Sequence, residues 1–248
     1  MIHELTEAFQ YYLIKATVDL AKEKGPCEYS SRTKYGQGIL PIDTYKKDVD
    51  EIVPNDLLLD WESLRREVRE NGVRNSTLSA QMPSESSSVV SNATNGIEPP
   101  RGYLSIKKSK KGPLKQIVPS YSTLKNAYTL LWDMPGNTGY INLVAVMQKF
   151  FDQAISGNWS YNPEHYENSE VPVSVMAQDL LTTYKYGWKT SYYQNTYDAK
   201  TDEVEPSHPI GWHDNVKDNE VGIQGHTQLQ GLVDDIMNKE EECESCAI

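Results

Sequence analysis

An α/β architecture is what this sequence predicts, on two observations. Residues 173–186 (VSVMAQDLLTTYKY) carry apolar side chains at helical spacing, and Gly187 can close that helix in the left-handed conformation. WKTSYYQ at 188–194 follows at once, with the aromatic and β-branched content of a buried strand. Earlier in the chain the order reverses: residues 75–82 read as a brief buried strand, Pro83 stops it, and a serine-rich helix starts behind it. Helix and strand exchanged at such short range point to α/β units rather than to separate bundles and sheets. With 248 residues, 38% hydrophobic and 24% charged, the chain has material for one large domain or two small ones.

Taken in order, residues 6–24 are expected to form an amphipathic helix with Phe9, Tyr12, Leu13, Ala16, Leu20 and Ala21 on one face, ended by Gly25-Pro26. No element precedes it, so that face must dock on a later part of the chain or on another polypeptide. Cys27, just past it, is read as structural. Residues 43–52 and 60–70 are expected as short helices, the second with Trp61, Leu64 and Val68 inward. Residues 103–106 and 114–118 should be strands flanking the solvated turn Lys107-Lys108-Ser109-Lys110-Lys111. Two long helices, 121–134 and 140–155, are expected on either side of Pro135-Gly136-Asn137, and 157–172 as a long polar loop. No internal repeat is visible.

Beyond residue 197 the composition turns to Asp, Glu, Asn, Gly, Lys and Gln. The expected division is therefore a folded part, 1–197, and a largely disordered acidic tail, 198–248, with one apolar island at 229–237. A net charge of −11 argues against a nucleic-acid surface, which needs clustered Lys and Arg. No window approaches the roughly 20 apolar residues of a membrane span. The N-terminal residues lack the basic and apolar regions of a signal peptide, which predicts a cytoplasmic protein, in the host cytoplasm if phage-encoded. Three cysteines do not make a disulfide scaffold.

Three features bear on chemistry. The first is the stretch 74–102, in which Ser84 is placed to cap a helix whose first turn is Glu85, Ser86, Ser87 and Ser88. Unpaired amides, the positive end of the macrodipole and small hydroxyl side chains make a phosphate seat. Serine-rich helix starts more often bind only water. Here the short helix, expected to end near Thr94-Asn95-Gly96, and the return fixed by Pro99-Pro100 favour the seat, with the Glu85 carboxylate turned elsewhere. The second is Tyr192-Tyr193. Adjacent strand residues ordinarily face opposite ways, one ring in the core and one on the surface; the alternative is a pair of phenols serving as stepping stones for a radical. The third is Cys243-x-x-Cys246 in the tail. Zinc would need two further ligands, and His208, His213 and His226 stand at irregular spacings, so a mobile dithiol working by thiol–disulfide exchange fits better.

RNSTLSAQMPSESSSVVSNATNGIEPPRG, the run ending in DQAISGN, the strand TSYYQNT and the terminal CESCAI, in that order, closely resemble the C-terminal part of the large, catalytic α subunit of class I ribonucleoside-diphosphate reductase, in a form typical of bacteria or T-even-type phages. The likeness covers about residues 6–198 and resumes at the tail cysteines. It implies the C-terminal portion of a ten-stranded α/β barrel, and a part in reducing ribonucleoside diphosphates to deoxyribonucleoside diphosphates for DNA synthesis. By the same likeness, Pro83, Ser84, Glu85, Ser86 and Ser87 hold the substrate diphosphate, Ser86 standing where Thr is usual. Tyr192 and Tyr193 relay a radical from the small β subunit. Cys243 and Cys246 re-reduce the active-site disulfide and are themselves reduced by thioredoxin or glutaredoxin. No metal or cofactor is expected in this chain, since the metal-containing β subunit supplies the radical. The radical-forming cysteine, its neighbouring Asn and Glu, and the active-site cysteine pair belong to the preceding part of such a subunit. The expectation is a split subunit completed by a separate N-terminal α fragment. Its rivals are a non-catalytic remnant that binds β or thioredoxin, and a piece of an intact subunit.

Overall fold

The computed structural model describes residues 1–109 and 112–198. In chain order these form α1 (Ile2–Lys24), α2 (Pro41–Thr44), α3 (Trp61–Asn71), α4 (Glu85–Val90), β1 (Leu104–Ser109), β2 (Gly112–Ile117), α5 (Tyr121–Leu124), α6 (Thr138–Gln148), β3 (Ser156–Tyr161), α7 (Val173–Tyr186) and β4 (Thr190–Thr196), joined by short 3-10 turns. β1 and β2 make an antiparallel hairpin in register from Leu104↔Ile117 to Ser109↔Gly112. β3 and β4 run parallel, with α7 as the crossover between them, so the α/β unit expected at the C-terminal end is a β3–α7–β4 unit. One parallel pair and one hairpin do not close a barrel among the described residues.

Two apolar clusters hold this arrangement. Ile14, Val18, Leu64, Val68 and Phe150 join α1 and α3 to the end of α6, while Ile141, Val144, Ile155, Trp159 and Trp188 join α6 to the parallel pair. Asp60 caps α3 as its spacing requires, its carboxylate accepting from Ser63 N at 3.0 Å, and Gly187 ends α7 at φ 80°.

α1 is rotated from the face expected. It buries Thr6, Glu7, Gln10, Ile14, Thr17 and Val18 and leaves Leu5, Phe9, Tyr12 and Leu20 exposed. Hydrogen bonding decides the rotation. The Glu7 carboxylate accepts from Leu58 N at 2.8 Å, Leu59 N at 3.0 Å and Trp61 Nε1 at 3.0 Å, while Gln10 Nε2 donates to Asp152 at 2.7 Å. These bonds offset much of the cost of burying Glu7 and Gln10.

Lys149, at the end of α6, is also buried. It pairs with Asp50 at 2.7 Å and donates to the ring of His3 at 3.2 Å. Burial, then the charge of Lys149, lowers the His3 pKa below its ordinary 6.5. The unfolded chain therefore takes up this proton first. The contribution of His3 is fully present above about pH 6.5 and is lost as pH falls through its lower folded value. Chemical denaturation of wild type and His3→Gln from pH 7.5 to 5 should show the acid-side decline shallower in the variant; parallel curves would refute the assignment.

Other expectations are corrected by tertiary partners. Residues 121–134 are not one helix: α5 gives way to turns at Lys125–Ala127 and Leu131–Asp133, because Leu131 N bonds Pro100 O at 2.9 Å and Trp132 packs between Arg101 and Tyr197. α6 stops at Gln148, whose side chain accepts from Ile155 N at 3.0 Å and donates to Gln153 O at 2.8 Å, closing the following turn. The expected loop at 157–172 begins inside a strand, β3. It buries Gly157, Trp159, Ser160 and Tyr161, with Ser160 N donating to Asn137 Oδ1 at 2.9 Å. Residues 75–82 run extended with a single parallel bridge, Gln81↔Ile155, rather than as a full strand. The strand expected at 188–194 is shifted to β4 and is largely exposed rather than buried.

Candidate functional site

Pairing of β3 with β4 is regular at Ser156↔Thr190 and Gly157↔Ser191 and resumes at Trp159↔Gln194. Tyr192 and Tyr193 thus lie opposite the single residue Asn158. Two residues against one is a β-bulge, and it cancels the strict alternation that would have sent the two rings to opposite faces. Both phenols are exposed, 54% and 41%, and their rings touch, with centroids 4.2 Å apart at 64°. Hydrogen bonding with Tyr192 raises the pKa of the Tyr193 phenol above its ordinary value, so it keeps its proton throughout the neutral range. The arrangement of one core ring and one surface ring is not adopted.

The serine helix starts where expected and ends sooner. α4 spans Glu85–Val90, and the chain leaves it with Asn92 at φ 49°. Ser84 occupies the N-cap position but its side chain makes no cap bond; its hydroxyl leans on Met82 O at 3.4 Å. The first-turn amides thus keep their orphan character. Ser86 and Ser87 are exposed beside them and Ser88 is buried. The helix is braced from below by Gln116 of β2, which donates to Ser88 O at 3.2 Å and Ala93 O at 3.0 Å.

The return from this helix connects the two features. Ser84 N donates to Asn95 O at 2.7 Å, and three residues on the Glu98 carboxylate accepts from Asn158 N at 2.7 Å. The Asn158 side chain in turn accepts from Tyr193 N at 3.0 Å. Neither Glu98 nor Asn158 stood out in the sequence, although both lie inside the quoted motifs, in NGIEPPRG and at the end of DQAISGN. Gly157 is fixed by packing, since a Cβ there would collide with the Tyr140 hydroxyl.

The sequence matches the family model described as "Ribonucleotide reductase, barrel domain" over residues 1–127 and 120–194. This chain belongs to the ribonucleotide reductase family. It is 60% identical over 205 residues to the ribonucleoside-diphosphate reductase subunit alpha of Haemophilus influenzae, covering 83% of this chain and 27% of that protein. The ribonucleoside-diphosphate reductase 1 subunit alpha of Escherichia coli is 58% identical over 202 residues, 82% of this chain and 26% of that protein. The alpha subunit of Enterobacteria phage T4 is 47% identical over 212 residues, 84% and 28%. The chain thus spans about a quarter of the length of the curated relatives it matches.

Within this reductase-family chain, the serine helix and the tyrosine pair are joined by hydrogen bonds through the Glu98 and Asn158 side chains. Cys243 and Cys246 lie outside the described residues, as does the tail from residue 199 onward. A cavity of about 550 Å³ opens at the other end of the parallel pair, lined in part by Lys34, Asp152 and Lys189, and none of the sequence-predicted site residues borders it. Among the described residues no group of three or more His, Cys, Asp or Glu is placed to hold a metal ion, and no helix is long and apolar enough to cross a membrane. Cys27 is a half-buried free thiol next to a backbone bond from its own amide to Val73 O, consistent with a structural place.

Proposed function

We propose that this chain is the C-terminal part of a class I ribonucleotide reductase catalytic subunit, acting with a separate N-terminal α fragment and the radical-bearing β subunit. It contributes the diphosphate seat at Pro83, Ser84, Glu85, Ser86 and Ser87, the radical relay at Tyr192 and Tyr193, and the reducing dithiol Cys243 and Cys246. The observation that carries this reading is the bulge that sets two exposed phenols ring to ring, tied by Asn158 and Glu98 to the loop behind the serine helix. A proton and an electron must leave each tyrosine together, because the neutral phenol is a poor one-electron donor once its proton is held. A metal or other cofactor is not needed in this chain: β supplies the radical, and thioredoxin or glutaredoxin supplies electrons to the tail.

The exposed stripe Leu5, Phe9, Tyr12 and Leu20 on α1 supports a need for another polypeptide. Burying it in the complete subunit is the simplest use of that surface. Tyr12→Asp with Leu5→Asp should therefore weaken binding of an N-terminal α fragment at least about tenfold, or ~1.4 kcal/mol, while leaving the melting temperature of the isolated chain unchanged. Equal affinity, measured by titration calorimetry, would assign the stripe no part in assembly.

The decisive assay measures ribonucleoside-diphosphate reduction by this chain with a candidate N-terminal α fragment, β and thioredoxin. Activity only in the full mixture is expected, and Cys246→Ser should stop after a few turnovers because the active-site disulfide is no longer re-reduced. A stable complex without activity would favour the second reading, a non-catalytic remnant that binds β or thioredoxin.

A further inference from the structure

Nearly all of this chain's net charge lies in its tail. Residues 199–248 carry 12 Asp and Glu against 3 Lys, a net −9 out of −11. The folded part is close to neutral, yet its cavity at the start of β4 is positive. Lys34, Lys46 and Lys189 stand exposed at the rim of this space of about 550 Å³, over an apolar floor that includes Leu40, Val49 and Phe151. Asp152 is the only carboxylate lining it among the described residues, and it is already committed to Gln10, Tyr35 and Leu78. Lys46 rests over the Tyr184 ring at 4.6 Å and Lys189 donates to Asp152 O at 3.1 Å, so neither ammonium meets a carboxylate there. Burial, then the charge of Lys34, holds the Lys189 pKa below its ordinary 10.5, as expected where positive charges gather without enough negative ones. A concave surface of one sign over low-dielectric walls concentrates its field on an oppositely charged partner.

One segment of the tail has the matching chemistry. Residues 229–237 (LQGLVDDIM) place Leu229, Leu232, Val233, Ile236 and Met237 at the i, i+3, i+4, i+7 spacing of a helix that binds in a groove, beside the carboxylates of Asp234 and Asp235. The cavity has room for apolar side chains from one turn of such a helix, Leu232 and Ile236, and leaves the carboxylates at the level of the rim. The reach is sufficient. β4 is seven residues long, which puts roughly 23 Å between the cavity mouth and the point where the tail departs. Residues 199–228, as a flexible chain, have a root-mean-square span of about 30 Å. We propose that residues 229–237 dock in this cavity, with Asp234 and Asp235 against its lysines, and thereby tether Cys243 and Cys246 to the side of the fold. Cys243 follows Met237 by six residues, so the docked tail keeps it within about 20 Å of the cavity mouth. A linker whose span matches the distance gives an effective concentration in the millimolar range, which holds even a weak contact closed. Docking is a property of this chain; only the use of the tethered dithiol rests on the proposed function.

The test follows amide hydrogen exchange in the full chain by mass spectrometry. Exchange across residues 229–237 should be slowed at least about tenfold relative to residues 199–228, and the protection should fall in about 1 M salt, where charges are screened beyond about 3 Å. Lys34→Glu with Lys189→Glu should erase it. Both lysines are exposed, so the melting temperature should stay unchanged. Adding Asp234→Lys and Asp235→Lys to that variant should restore protection, because the charges again oppose each other. Leu232→Asp with Ile236→Asp, which touches only the tail, should abolish it independently. Exchange across 229–237 as fast as in the linker overturns the docking. Protection that survives Lys34→Glu with Lys189→Glu overturns the cavity as the seat, since a helix formed without docking behaves in that way. Protection that grows with protein concentration, together with a dimer in sedimentation, assigns the cavity to the tail of a second copy and overturns the intramolecular tether. None of these readings uses catalytic activity, so failure of the reductase assay and failure of the docking are told apart.

Discussion

Tyr193→Phe in the reconstituted enzyme should reduce turnover by a factor on the order of 10³ or more, equivalent to at least ~4 kcal/mol on the barrier, while diphosphate binding and assembly persist. The ring contact survives the change, because phenylalanine fills the same space beside Tyr192 on the bulge. Only the O–H is removed. A relay step takes a proton and an electron from the phenol together, and a benzene ring offers no proton to release. Rapid-quench measurement of deoxynucleotide formation provides the check. Turnover within tenfold of the unaltered enzyme would exclude Tyr193 from the electron path and leave the bulge a purely structural feature.

Asp152→Ala should be the most damaging single change to the fold, costing about 3–5 kcal/mol because it strands buried donors around a vanished carboxylate. Asp152 accepts from Gln10 Nε2 at 2.7 Å, from the Tyr35 hydroxyl and from Leu78 N at 2.5 Å, so one carboxylate ties α1, the loop after it and the extended segment 75–82 together. Gln10 is fully buried and Tyr35 nearly so, and neither can turn to water when the acceptor goes. Burial, with the Asp152 charge behind it, already pushes the Tyr35 phenol far up, which marks how strongly this pocket resists exposing the pair. The loss should appear as a fall in Tm on the order of 10 °C. Asp152→Asn, which retains an acceptor but adds a competing donor, should fall between the two. A Tm for Asp152→Ala within two or three degrees of the starting value, taken by calorimetry, would show that the donors find other partners. Because segment 75–82 leads into the serine helix, diphosphate affinity should fall in parallel with stability in this variant.

The elements with strong local signals were legible in the sequence. Asp60 before an amphipathic run, Gly187 after one, and Pro83-Ser84 between an extended segment and a serine run each encode their own boundary, because capping and φ preferences act within a few residues. The family was legible for a different reason: four motifs in one order leave little room for coincidence. What local pattern could not supply was any feature set by a distant partner. The α1 stripe looked like a core face, yet hydrogen bonds donated to Glu7 by residues 58, 59 and 61 and by Gln10 to Asp152 turn the opposite side inward. Residues 121–134 have helical periodicity, but Pro100 and Arg101 take hold of Leu131 and Trp132 and break it.

The same division runs through the site. The sequence by itself determined that a serine-rich helix start and two adjacent tyrosines exist, and by resemblance what each is for. Only the tertiary structure decided that the tyrosines face the same way, since a bulge is a mismatch between two strands and neither strand alone contains it. Asn158 and Glu98 belong to that second class: their identities are ordinary, and their importance comes from two hydrogen bonds spanning 60 and 35 residues of chain. Local free-energy preferences are written residue by residue, whereas pairing between distant segments is settled only when the whole chain has packed.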